Sequence, residues 1–155
     1  MAVHLEPFCR EDLEFVRGLR NGFRQYFFDT ASIDPWQQEE WYKKYLLSDC
    51  LMWTVWWFNR KVGTISLTCL PNSWVITDGS MNSRVRIDSY EIGNLMLLPE
   101  YQGKGIMLES MRQLTAMNPL AVYMAQVKPD NAASLRLFKS AGFWRVPKKK
   151  KKVKK

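Results

Sequence analysis

Apolar residues at Leu13, Val16 and Leu19 recur at helical spacing and predict a helix over Glu11 to Arg20, introduced by acidic residues that suit a helix start. Val3 to Phe8, just before it, reads as a first strand. Asp34-Pro35-Trp36-Gln37 opens a second helix, with Asp34 as N-cap, Pro35 in the first position and Gln37 placed to close a capping box. Trp41 and Tyr45 give that helix an aromatic face. Leu51 to Phe58 and Val62 to Leu70 are rich in aromatic and β-branched residues, and Asn59-Arg60-Lys61 turns between them, so the pair predicts a hairpin. Ser73 to Thr77 is expected to extend the sheet, Asp78 to Arg84 to form a loop, and Val85 to Leu98 to form the central strand. That strand ends in the buried apolar run Ile92 to Leu98, closed by the turn signal Pro99-Glu100-Tyr101. Leu120 to Val127 is a further apolar strand, Lys128-Pro129-Asp130 breaks it, and Asn131 to Ala141 is a helix ended by Gly142. Periodicity alone gives a mixed α/β chain.

Composition narrows the class. At 155 residues, 46% hydrophobic and 14% aromatic, the chain suits one domain with a real core. No run approaches the roughly 18 apolar residues of a membrane span, and the N-terminus lacks a secretory pattern, so a soluble, cytoplasmic protein is expected. Cys9, Cys50 and Cys69 are scattered and lack metal spacing, and the single histidine, His4, lies outside every motif. A histidine-based nucleophilic mechanism or metal site is therefore not expected.

The formal charge of +8 divides unevenly, because Lys148, Lys149, Lys150, Lys151, Lys152, Lys154 and Lys155 supply seven positive charges and leave the rest of the chain near +1. The chain thus divides into a folding unit over residues 1–146 and a tail over 147–155, expected to be disordered in isolation. The tail reads as a solvated solubility segment or as a tether to nucleic acid or another polyanion. Seven lysines correspond to a salt exponent of about 6 on duplex DNA. Anionic lipid would attract them at about 1 kcal/mol per lysine. The segment also looks like a nuclear-import signal, relevant only in a host with a nucleus.

Two signatures carry chemistry. Gln102-Gly103-Lys104-Gly105 follows the central strand and opens a helix, which gathers unpaired backbone N–H groups and the positive end of a helix dipole at one point. The ligand it predicts carries phosphate. The second signature, Asn131-x-x-Ser134-x-x-Leu137-Phe138-x-x-x-Gly142-Phe143, follows the later strand; Asn131 also reads simply as an N-cap, with Ser134 in the first turn.

In order and spacing these signatures, from about Tyr90 to Phe143, resemble the GNAT superfamily of acyl-CoA-dependent N-acyltransferases. The resemblance implies one α/β (α+β) domain, a mixed central sheet flanked by about four helices. It further implies that acetyl-CoA is the co-substrate and that no metal takes part. Leu95 and Leu97 match the strand that holds the pantetheine arm, and Gln102, Gly103, Lys104, Gly105 and Ile106 match the pyrophosphate loop. Asn131, Ser134 and Phe138 match the second donor motif. The chain departs from the family at Met107, where a small residue is usual, at Phe138, where many members have a tyrosine acid, and after Phe143, where Phe143 to Val146 leaves room for one short strand instead of a hairpin. An incomplete sheet edge would be covered by the tail or by a partner subunit, making a homodimer.

Direct transfer to an amine needs a base. Glu91 matches a position where some members place one; an exposed strand-end carboxylate is the plainer reading, and Asp88 and Tyr90 are its nearest rivals. For the leaving thiolate, water or Tyr123 is available as acid. The acceptor is a primary amine of a small molecule, an aminosugar nucleotide or a protein. Arg20, Arg24, Arg84 and Arg86 are candidates to meet an anionic acceptor, and Trp53, Trp56 and Trp57 read as core rather than as a stacking surface. The alternative is a nucleic-acid-directed protein of the same fold, modifying a base amino group or binding DNA or RNA through its tail without catalysis.

Overall fold

A computed structural model of the protein describes residues 2–24, 31–71, 73–76 and 84–146. Its backbone runs β1 (Val3–Pro7), a 3-10 turn (Arg10–Asp12), α1 (Leu13–Gly22), α2 (Pro35–Leu46), β2 (Cys50–Trp57), β3 (Arg60–Cys69), β4 (Ser73–Ile76), β5 (Arg84–Ile87), β6 (Ser89–Leu97), a second 3-10 turn (Pro99–Tyr101), α3 (Ile106–Ala116), β7 (Val122–Met124) and α4 (Ala132–Ser140). The local signals behave as their chemistry requires. Asp34 Oδ1 accepts the Gln37 N–H at 2.8 Å while Gln37 Oε1 accepts the Asp34 N–H at 2.9 Å, which is the capping box expected at the start of α2.

The main sheet has the order β1-β2-β3-β6-β7, antiparallel except for the last pair, β6 with β7, which is parallel. Strand alternation gives it two apolar faces. On one, Val55, Ile65, Ile92 and Leu97 meet Ile106, Met111 and Leu114 of α3 and Phe138 of α4. On the other, Met52 and Met96 meet Val16 and Leu19 of α1 and Tyr42 of α2, with Phe8 between them. Trp53 and Trp57 pack against the first cluster, as a core reading of that hairpin requires. Trp56 stacks on His4 at 5.9 Å. None of the described helices is long and apolar enough to cross a membrane.

Four expectations need correction. Ser73–Ile76 does not extend the main sheet but pairs with β5 in a separate two-stranded ladder. The expected central strand from Val85 to Leu98 is interrupted at Asp88, which divides it into β5 and β6. Of Leu120 to Val127, three residues make a strand, because β7 bonds β6 over Ser89 to Glu91 and then leaves it. Phe143 to Val146 forms no strand, so among the described residues β7 is the last strand of the sheet. The loop expected from Asp78 to Arg84 lies outside the described residues except for Arg84, which begins β5, and the tail over 147–155 lies outside them entirely.

An ion pair with a buried carboxylate fixes the turn before α1 to the hairpin. Asp12, 4% exposed, accepts the Cys9 N–H at 3.1 Å and meets Lys61 Nζ at 2.6 Å. Burial alone would raise the Asp12 pKa, but the Lys61 ammonium and the Cys9 amide outweigh it and hold the carboxyl below its ordinary value. The bond to Asp12 raises the Lys61 pKa against the opposing effect of burial. The carboxylate's contribution is therefore complete above a pH of about 4 and is lost as pH falls through the lowered pKa. The ammonium's contribution is complete below about pH 10.4 and is lost as pH rises through the raised value. Asp12→Ala removes the partner of the partly exposed Lys61 ammonium and the acceptor of the Cys9 amide and is expected to cost on the order of 2 kcal/mol at pH 7, a deficit that shrinks below about pH 3. Urea titrations at both pH values check this; equal stability at pH 7 would remove the pair from the account.

Candidate functional site

The site is built where the parallel strands part. β6 and β7 are paired at Ser89 with Val122, Tyr90 with Tyr123 and Glu91 with Met124, and the ladder stops there. Beyond it, Ile92 to Leu97 on one side and Ala125 to Lys128 on the other diverge around a cavity of about 750 Å³. Gln102, Gly103 and the run Gly105 to Leu108 close one end of it, α4 forms a wall with Ser134, Leu137 and Phe138, and Arg20 and Phe23 reach it from the end of α1.

The loop at one end is shaped by glycine. Gly103 and Gly105 both have φ of +78°, a backbone region that side chains with a Cβ strain to enter. Gln102 Nε2 donates to the Leu97 carbonyl at 3.1 Å and ties the loop to the end of β6. α3 starts at Gly105 with no side-chain cap, whereas α2 is capped by Asp34 and α4 by Asn131. The first amides of α3 have no partner within the helix, and Gly105, Ile106, Met107 and Leu108 all border the cavity. An anion is the complement of that end.

The sequence-predicted donor residues converge. Leu95, Leu97, Gln102, Gly103, Gly105, Ile106, Asn131, Ser134 and Phe138 all line the cavity. Lys104 does not; its ammonium lies over the Trp57 ring, 5.9 Å from the centroid, so what it offers the loop is its backbone. Asn131 Oδ1 accepts the Ser134 N–H at 3.2 Å, which gives it the N-cap role as well as a place on the wall. Met107 is 8% exposed and turns into the core beside Ile106 and Phe138 while touching the cavity floor.

Glu91 stands half-buried on the cavity wall at the fork, between Thr68 of β3 and Met124 of β7. Its rivals are placed elsewhere. Asp88 accepts a hydrogen bond from Asn118 Nδ2 at 3.2 Å and is outside the lining. Tyr90 stacks on Tyr123 at 5.8 Å against the core. Tyr123, the candidate acid, is outside the lining, and its hydroxyl donates to the Asn118 carbonyl at 2.7 Å; burial raises its pKa.

Of the four arginines singled out, Arg20 lines the cavity, Arg24 is exposed outside it, and the side chains of Arg84 and Arg86 lie outside the described residues. Sequence reasoning missed Asn94, Lys128 and Arg136, which also line it. No local pattern marks Asn94, since its place depends on the register of β3 against β6. Among the described lining residues, three cations, Arg20, Lys128 and Arg136, face one carboxylate, Glu91. The uncapped end of α3 suits a phosphate-bearing ligand.

Known proteins share this fold or part of this sequence. The chain is 39% identical over 57 residues to the N-alpha-acetyltransferase RimI of Mycobacterium tuberculosis, a match covering 37% of this chain and 36% of that relative. The chain thus matches just over a third of that relative's length. Its fold is shared with spermidine N-acetyltransferase from Vibrio cholerae, solved with CoA and spermine, at a TM-score of 0.69 and 20% identity over 94% of this chain and 83% of that one. It is likewise shared with FdhC, a nucleotide-linked sugar GNAT, at a TM-score of 0.70 and 17% identity over 96% and 82% of the two chains. Residues 3–144 match the family model described as the acetyltransferase (GNAT) domain, and with the parted strands and glycine loop already in place, the chain belongs to the GNAT acetyltransferases.

Proposed function

We propose that the protein transfers an acetyl group from acetyl-CoA to a primary amine by direct attack in a ternary complex, with Glu91 as the base. The observation that carries this reading is one continuous cavity with an uncapped helix end at one side and a half-buried carboxylate at the fork of the sheet. The loop Gln102 to Ile106 and the start of α3 hold the pyrophosphate, and the parted edge around Leu95 and Leu97 holds the pantetheine arm. Acetyl-CoA supplies the activated thioester. An alkylamine with a pKa of about 10.4 is only about one part in a thousand neutral at pH 7, so Glu91 accepts its proton, directly or through one water. The new N–C bond forms as the C–S bond breaks. The thiolate, whose conjugate acid has a pKa near 8.5, leaves without a tyrosine at the Phe138 position, and water supplies any proton it takes.

The charge of the lining also bears on the acceptor. A polyamine or aminoglycoside calls for several carboxylates, and among the described lining residues Glu91 is the one present. A single carboxylate suits an acceptor with one reacting amine, such as a nucleotide-linked aminosugar or a protein N-terminus.

Acetyl-CoA consumption with a panel of nucleotide-linked aminosugar, short peptide and spermidine tests both parts. The panel should favour one of the first two, and a clear preference for spermidine would sink the acceptor reading. Glu91→Gln is expected to lower kcat/KM by about a hundredfold at pH 7, with the deficit narrowing as pH rises toward the amine pKa. An unaltered pH profile would remove Glu91 as base.

A further inference from the structure

Between the pairs Ser66 with Gly93 and Thr64 with Met96, β3 contributes one residue, Ile65, while β6 contributes two, Asn94 and Leu95. This is a β-bulge, and it lies on the cavity wall, with Gly93, Asn94 and Leu95 all in the lining. Asn94 takes φ of +50°, a strained choice for a residue with a side chain, although asparagine tolerates it better than most. Two hydroxyls of the neighbouring strand hold it there. Thr64 Oγ1 donates to the Asn94 carbonyl at 2.7 Å, and Asn94 Nδ2 donates to Ser66 Oγ at 2.9 Å. Thr64 and Ser66 are 0% and 1% exposed, so neither bond competes with water.

A bulge left to itself can migrate or anneal, because nothing in a regular ladder specifies which residue is extra. The clasp removes that freedom: it satisfies the carbonyl that the bulge turns out of the ladder and pins the Asn94 side chain at the same time. It does so at the point where β6 must present its backbone to the cavity instead of to β7. Two buried hydroxyls side by side on a strand between apolar neighbours have no partner in a regular sheet, and here each has one in Asn94.

We propose that Thr64, Ser66 and Asn94 are positioning residues for the acyl-pantetheine end of the donor, holding the bulge so that the β6 backbone meets that end in a single geometry. The proposal rests on the donor-site reading above. It predicts that disturbing the clasp uncouples the two ends of the donor, because the phosphate end is held separately by the glycine loop and α3.

Affinities for acetyl-CoA and for 3',5'-ADP, which carries the phosphate end alone, are the test. Thr64→Val keeps the shape and removes the donor hydroxyl; Thr64→Ser restores it. Thr64→Val is expected to weaken acetyl-CoA binding by at least tenfold, leaving 3',5'-ADP within about twofold, and Thr64→Ser to behave as wild type. Asn94→Gly tolerates the backbone angle and breaks the link to Ser66, so it reads out the clasp even where Thr64→Val fails to fold; the same selective loss is expected. Wild-type acetyl-CoA affinity in folded Thr64→Val or Asn94→Gly would overturn the proposal. Equal weakening of both ligands would also overturn it, since that is the mark of general destabilisation. If the wild-type protein bound neither ligand, the donor site itself would fall, an outcome separate from both.

Discussion

Gly103→Glu is expected to abolish binding of acetyl-CoA while leaving the domain folded. The residue has φ of +78° and no heavy atom within 4 Å of where a Cβ would stand, so the substitution meets strain in the backbone but no clash. That strain costs about 1–2 kcal/mol, which a domain of this size survives. The added carboxylate stands at the loop that faces the uncapped start of α3, where the donor's pyrophosphate is proposed to sit. Two like charges about 4 Å apart in a partly screened site repel by roughly 4 kcal/mol, close to three decades in affinity. Wild-type protein at 100 times the dissociation constant gains about 2.7 kcal/mol, a rise in Tm of roughly 8 °C for this length. The variant should show no rise. Gly103→Ala separates the effects, since it carries the backbone strain without the charge and should keep a reduced shift. If acetyl-CoA stabilises Gly103→Glu as much as wild type, the loop is not the phosphate site.

The largest stability effect is expected at Gly63, for a steric reason and not a conformational one. A Cβ there would stand 2.2 Å from the Met96 carbonyl oxygen and 3.1–3.2 Å from Leu97 atoms. The clash is with backbone of the adjacent strand, which cannot rotate away as a side-chain tip would. Gly63 lies opposite Leu97 in the β3–β6 register, so any adjustment must open the ladder just beyond the bulge. Gly63→Ala is therefore expected to lose on the order of 3 kcal/mol, or about 10 °C in Tm, with the acetyl-CoA response weakened in the protein that remains folded. Thermal melts decide it: a change within about 1 °C of wild type would mean that the two strands are not held this close.

These two glycines were not equally legible. Gly103 belongs to a run of four residues whose meaning is local, because a helix entry with unpaired amides needs no knowledge of distant chain. The same holds for the capping box of Asp34 and Gln37, for the N-cap Asn131, and for the end of α4 before Gly142, whose φ is +90°. Gly63 carried no such mark. Its necessity comes from the approach of a strand more than thirty residues later in the chain. Residue type alone also left Asp88 and Tyr90 as rivals of Glu91 for the base, and the fold puts only Glu91 of the three on the cavity wall, with Asp88 bonded to the segment after α3 and Tyr90 stacked on Tyr123.

The places where sequence reasoning misplaced an element share one cause. Ser73 to Thr77 has strand chemistry, but whether it joins the main sheet depends on which partner it finds, and β5 supplied a separate one. Leu120 to Val127 is apolar apart from Tyr123 and Gln126, yet backbone pairing ends at Met124 because β7 turns away from β6 to make the cavity.

The sequence by itself determined the elements whose physics closes within a few residues: the helix caps, the hairpin, the glycine loop and the family to which their order points. Tertiary structure alone decided the parting of β6 and β7, the bulge held by Thr64 and Ser66, the pairing of Asp12 with Lys61, and the placing of Glu91 on the cavity wall. The physical reason is that caps and turns satisfy backbone groups locally, whereas register, parting and burial depend on contacts between segments tens of residues apart, which only the folded chain brings together.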